Sequence, residues 1–265
     1  MVGKLIKNGF KDSSQAYVPV FTLIAVSTVL ALLNVWTVDE LSLRFISGIL
    51  NLIIFGLIVA IGVLSYRANI YVLYTSIYKK NSYRLFTLPV KSWEILISKL
   101  VVAFVWSFLV GIATLFSIFI IISVVGADLG IIWELTKTSL EGLKIAFSNP
   151  ATLILMADLL VRVLWGYALI LFASSIAHSS WIHKNRGIMT FIIFLLTLVF
   201  LSKISALFGA DMATYLATFD VVELIEGNLM IETGPMIWIL FYEILVVVFL
   251  SIGTVWMWDH KLEII

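Results

Sequence analysis

Six stretches of this chain are apolar for long enough to cross the ~30 Å hydrocarbon core of a bilayer, which takes about 20 helical residues. They lie near residues 18–36, 46–68, 97–125, 151–177, 188–208 and 235–258. In lipid every backbone N–H and C=O must find its partner within the segment, so each run is predicted to be a helix. The fold class expected is therefore an all-α integral membrane protein with six transmembrane helices. Composition agrees, because 62% of the 265 residues are hydrophobic and only 12% are charged, more apolar surface than one soluble core buries. The first run is too long for the apolar part of a signal peptide and no small-x-small cleavage pattern follows Trp36, so it is read as a retained helix.

Orientation follows from where lysine and arginine fall between the runs. With six alternating helices, one side collects Lys4, Lys7, Lys11, Lys79, Lys80, Arg84, Lys91, Lys99, Lys184, Arg186 and Lys261. The other collects Asp39, Glu40, Asp128, Glu134, Glu141, Asp211, Asp220, Glu223, Glu226 and Glu232, with only Arg44, Lys137 and Lys144 among the bases. The basic side is cytoplasmic by this rule, which places both termini in the cytoplasm.

The segments between the runs are read as parts of one transmembrane domain spanning 1–265. Residues 1–16 set Val2, Leu5, Ile6, Gly9 and Phe10 on one helical face and Lys4, Lys7, Asn8 and Lys11 on the other, the pattern of an interfacial amphipathic helix. The second helix is expected to overrun the membrane from Phe45 to Tyr78, with Arg67 and a row of tyrosines marking the interface. Segments 126–150 and 209–234 are predicted to be extracellular. Each carries apolar residues at helical spacing, such as Ile132, Leu135 and Leu140 in the first and Leu216, Phe219 and Val222 in the second, which suits short helices on the outer membrane face.

Several kinds of chemistry lack their residues. A net charge of +1, from 17 basic and 16 acidic side chains, gives no basic field for nucleic acid. With no cysteine there is no disulfide or thiolate metal site. No G-x-x-x-x-G-K-[ST] loop is present to cradle nucleotide phosphates. His178, His183 and His260 lack zinc-ligand spacing and are read as interfacial, and the pairs Ser174–Ser175 and Ser179–Ser180 stand in no nucleophile elbow.

The loop spanning 79–96 breaks this apolar pattern with bases and a proline. Pro89 disfavours helix at Leu88 and suits the first turn of a new one, so TLPVKSWEIL reads as a break and a restart, with Thr87 as a cap and Trp93 exposed or at the interface. From Tyr83 through LFTLPVKSWEILISKL the chain resembles the six-helix permeases of ABC-2 type ABC transporters, common in Gram-positive bacteria, whose signature is a TLPV segment and a helix ending in Ser-Lys, here Ser98 and Lys99. The opening VGKLIKNGFK before a run that starts at Pro19, the HKNRG turn closing at Gly187 and the terminal HKLE are also similar to that family. The chain differs at Asn81–Ser82, where relatives often carry a Glu-Gly pair.

The resemblance implies a permease subunit of the type V exporter kind in the bacterial plasma membrane. It implies pairing with a second permease, identical or different, and docking of cytoplasmic ABC ATPase subunits. No cofactor belongs to this chain; ATP and magnesium sit on the partner. The coupling role falls by resemblance on Leu88, Pro89, Val90, Lys91, Ser92, Trp93 and Glu94. Apolar, aromatic spans suit an amphipathic or hydrophobic cargo such as a peptide, drug or lipid. The alternatives are a secondary transporter, for which no repeat or coupling-ion site is visible, and an intramembrane hydrolase.

Three charges deep within the runs go unexplained by hydropathy: Asp158, Arg162 and Glu243. An Asp or Arg at the bilayer centre costs about 2.5–3.5 kcal/mol on insertion scales, so partners are expected. Asp158 and Arg162 are four apart on one helical face. Asp158 and Glu243 each follow a proline, Pro150 and Pro235, by eight residues, or about 12 Å of helix, so Arg162 is predicted to bridge both carboxylates. The network is either a packing device or part of a dimer interface or cargo path.

Overall fold

The structure is a computed structural model that describes residues 2–38, 44–80, 86, 89–125, 150–182, 184–209 and 233–261. These form α1 (Val2–Val38), α2 (Arg44–Ile70) continued by a π-helix (Tyr71–Lys80), α3 (Ser92–Val125), α4 (Pro150–Ala177), α5 (Arg186–Leu207) and α6 (Thr233–His260). All six α-helices are long and apolar enough to cross a membrane, and the described residues form no sheet. This is the build of a multi-pass membrane protein. The segments 126–149 and 210–232, on which short external helices were expected, lie outside the described residues.

The chain divides into two compact units, Met1–Thr75 with Val101–Glu141, and Ser76–Leu100 with Gly142–Ile265. In the first, α1 presents a stripe with four-residue spacing, Gly9, Ser13, Tyr17 and Phe21, to Trp106 of α3. The Tyr17 ring stacks on Trp106 with centroids 4.7 Å apart, and Phe10 and Phe21 flank the indole at 5.8 and 6.1 Å. The Trp106 indole N–H donates to Ser13 Oγ at 2.8 Å, and Tyr17 Oη donates to Asn69 Oδ1 at 2.7 Å. Gly9 permits the approach: a Cβ there would lie 3.0 Å from Val102.

The expected boundary near residue 16 brings no break in the helix, for α1 is continuous through Pro19. Ser13 and Tyr17 are buried against α3, so the packed face runs straight across the proline. Pro19 removes only the bond to the carbonyl of Gln15, and both residues lie on the exposed side of the helix. The second helix does continue past Tyr78, to Lys80, but its last ten residues wind as a π-helix, a register that apolar spacing does not encode.

The second unit centres on Ala168 and Leu169 of α4, Leu201 of α5 and Val246 and Leu250 of α6, with Trp165, Phe172, Phe194 and Tyr242 packed around them. Gly253 lets the Phe172 ring lie directly on the α6 backbone, since a Cβ there would fall 2.7 Å from the ring edge. Gly253→Ala is therefore expected to overpack this contact and destabilise the protein by about 1–3 kcal/mol. Thermal unfolding in detergent tests this, and an unchanged midpoint counts against so tight a contact.

Candidate functional site

Within the second unit, two groups of polar side chains stand out from the apolar helices. One lies where α3 begins and α6 ends. The break at Pro89 and Val90 is present, but the helix restarts at Ser92, three residues later than Pro89 at a first turn requires, and this restart is the beginning of the spanning α3. The cap explains the later start. The Lys91 carbonyl accepts from the Glu94 N–H at 2.9 Å, and the Lys91 N–H donates back to the Glu94 carboxylate at 3.3 Å, the side-chain half of a capping box. Glu94 also places negative charge in the first turn, where the helix dipole favours it.

Ser92 Oγ donates to the Asp259 carboxylate, tying the first residue of α3 to the end of α6. Next to that bond the Trp258 indole N–H donates to Tyr78 Oη at 2.8 Å, and the Phe86 ring meets Trp258 edge-on. Tyr78 in turn stacks on His178 at 4.1 Å. The turn after α4 is held to the chain beyond α6, because the Ser180 N–H donates to the Lys261 carbonyl at 2.9 Å and Lys261 Nζ sits over the Trp181 ring. Lys99, on the buried side of α3, donates to Ser76 Oγ of the π-helix at 2.7 Å.

Of the seven residues at the loop, Leu88 lies outside the described residues. Pro89, Lys91 and Trp93 are exposed, whereas Val90, Ser92 and Glu94 are partly covered. Trp93 is 45% exposed, an unusual position for an indole, and lies at the edge of an apolar groove of about 530 Å³ between α3 and α6. Trp256, Asp259 and His260 line the same groove, with His260 stacked on Trp256.

His178, just beyond the end of α4, is covered by protein: it is 7% exposed, stacked on Tyr78, with Nδ1 3.0 Å from the Ser174 carbonyl. The hydroxyls of Ser174, Ser175 and Ser179 donate to the backbone carbonyls of Leu171, Phe172 and Ile176, so the paired serines are bound into the helix end. Asp259 and Trp258 were not singled out from the sequence. Their partners Ser92 and Tyr78 are far away in the chain, and no local spacing announces such a pair.

The second group is the intramembrane triad. Arg162 Nε lies 2.7 Å from Asp158 Oδ2, and a terminal guanidinium nitrogen lies 3.2 Å from Glu243 Oε1. The structure thus brings Asp158, Arg162 and Glu243 together, with one guanidinium between two carboxylates from different helices. The Asp158 side chain is 2% exposed, Glu243 12% and Arg162 33%, so the acids are sealed in and the base reaches the surface. Asp158 Oδ1 and Glu243 Oε2 are buried without a hydrogen-bond partner. No group of His, Asp or Glu among the described residues is arranged to hold a metal.

No family model, curated protein or solved structure matches the chain.

Proposed function

We propose that the chain is the membrane-spanning permease subunit of an ATP-driven transporter of the ABC-2 type, with both termini in the cytoplasm of a bacterial cell. The observation that carries this reading is Trp93, an exposed indole on the first turn of a spanning helix whose neighbour Ser92 is bonded to the end of α6. A partner that grips Trp93 pulls on two spanning helices at once. Aromatic side chains half-buried in a surface groove are the usual anchors of protein contacts. The capping geometry sharpens the set: Glu94 is engaged in holding the helix start, which leaves Pro89, Lys91 and Trp93 to face a partner.

In this reading a cytoplasmic ATPase dimer binds ATP and magnesium, and its closure moves the α3 start and α6 end together. A second permease, identical or different, completes the pathway by which an amphipathic or hydrophobic cargo is exported in alternating access. Its lipid-facing surface is supplied by the many exposed apolar residues of α2 and α5, such as Phe55 and Phe191.

Two measurements test the proposal. Purified gently from its native membrane, the chain is expected to retain a nucleotide-binding subunit whose ATP hydrolysis depends on it; purification with no such partner and no ATPase activity sinks the reading. Single cysteines at Lys80 and Lys184 are expected to react with impermeant maleimide only from the cytoplasm, and at Asp39 and Glu226 only from outside. Labelling of position 80 from outside reverses the orientation and removes the loop from any cytoplasmic ATPase.

A further inference from the structure

The triad does not balance. With all three groups ionised, two carboxylates share one guanidinium, and one net negative charge remains near the middle of α4, a helix apolar enough to cross a membrane. An uncompensated charge there is costly. Two oxygens are left over as well, Asp158 Oδ1 and Glu243 Oε2, each buried and without a partner. Both carboxyl groups reach the same guanidinium, at 2.7 and 3.2 Å.

We propose that the triad is a proton-binding site, in which one proton is shared between Asp158 and Glu243 beneath a permanently charged Arg162. One proton corrects both defects: it brings the cluster to neutrality, and as an O–H it donates from one orphaned carboxyl to the other. It comes from water and returns to water, and no bond other than this O–H forms or breaks.

Among the described residues, the neighbouring helices hold no other group that balances the charge. Besides Glu243, α6 brings Tyr242, whose hydroxyl turns to the Leu201 carbonyl at 3.4 Å. On α5, Lys203 is exposed and forms no ion pair with either acid, and Arg186 stands at the far end of that helix, where it bonds the Ile182 carbonyl. Asp259 and His260 stand at the last turn of α6, well over two helical turns beyond Glu243. A hard metal ion fits poorly, since calcium and magnesium take about six or more oxygen ligands and only two oxygens here are free.

The site makes the neutrality of this cluster depend on one exchangeable proton, and it does so whether or not an ATPase drives the chain. Infrared spectroscopy of the full-length protein in phosphatidylcholine nanodiscs reads it directly. At neutral pH the wild type is expected to show the carbonyl band of a protonated carboxyl, shifted when the protein is exchanged into D2O. Glu243→Gln and Asp158→Asn are each expected to abolish the band, because either variant leaves one carboxylate balanced by one guanidinium. The amides keep the shape of the acids, and if one variant fails to assemble, the wild type and the other decide. Absence of the band in the wild type overturns the proposal, as does its survival in either variant. An absent band together with stabilisation by sodium over choline also overturns it, and assigns the free oxygens to a metal cation.

Discussion

Arg162→Ala is expected to be among the most damaging substitutions in this protein, with a loss of about 3–5 kcal/mol, the cost of removing one partner from a buried ion pair. Asp158 is almost fully enclosed and takes its bond from Arg162 Nε at 2.7 Å, so the alanine variant strands it beside a second acid. Low yield and a strongly lowered unfolding temperature in mild detergent are the expected observations. Arg162→Met combined with Asp158→Asn and Glu243→Gln is expected to recover most of the loss, because no charge is then left buried. If Arg162→Ala folds and melts like the wild type, the guanidinium does not hold the carboxylates, and a selective loss of transport in that stable variant places the triad in the cargo path.

The other large effect is expected at Trp93. Truncating an aromatic anchor of a protein contact costs about 2 kcal/mol or more, so, on the proposed function, Trp93→Ala is expected to weaken attachment of the proposed ATPase partner by roughly 30-fold. The fold itself is expected to change little, within about 0.5 kcal/mol as at other surface positions, because the indole is half-exposed. Measured side by side, unfolding temperature and ATPase retention separate the two roles. Equal retention by wild type and variant removes Trp93 from the contact. Glu94→Ala is a useful contrast: it strips the cap from α3 and is expected to lower stability by about 1 kcal/mol.

The six helices were legible because lipid imposes length and apolarity directly on the sequence. The pairing of Asp158 with Arg162 was legible through four-residue spacing, and Glu243 through its equal distance from a proline. What escaped depends on contacts between distant residues. Nothing near Pro19 says that Ser13 and Tyr17 find Trp106, yet that contact keeps α1 in one piece. Likewise Pro89 favours a helix start, but the bond from Lys91 N–H to Glu94 fixes the first turn later. The bonds Ser92 to Asp259 and Trp258 to Tyr78 join residues more than 150 positions apart, beyond the reach of any periodicity.

The unequal lengths of the helices decide how the protein meets membranes of different thickness. At 1.5 Å per residue the 37 residues of α1 reach about 55 Å, far more than hydrocarbon requires even at the steepest usual tilt, so its ends stand in headgroups or water. The 22 residues of α5 reach only about 33 Å, with no length to spare. In a thicker bilayer α1 simply buries more of itself, whereas α5 must straighten or thin the lipid around it. Hydrophobic mismatch is thus felt first at α5 and passes to α4, against which it packs. Chain length of the surrounding lipid is in this way a variable that acts on the helix bearing Asp158 and Arg162.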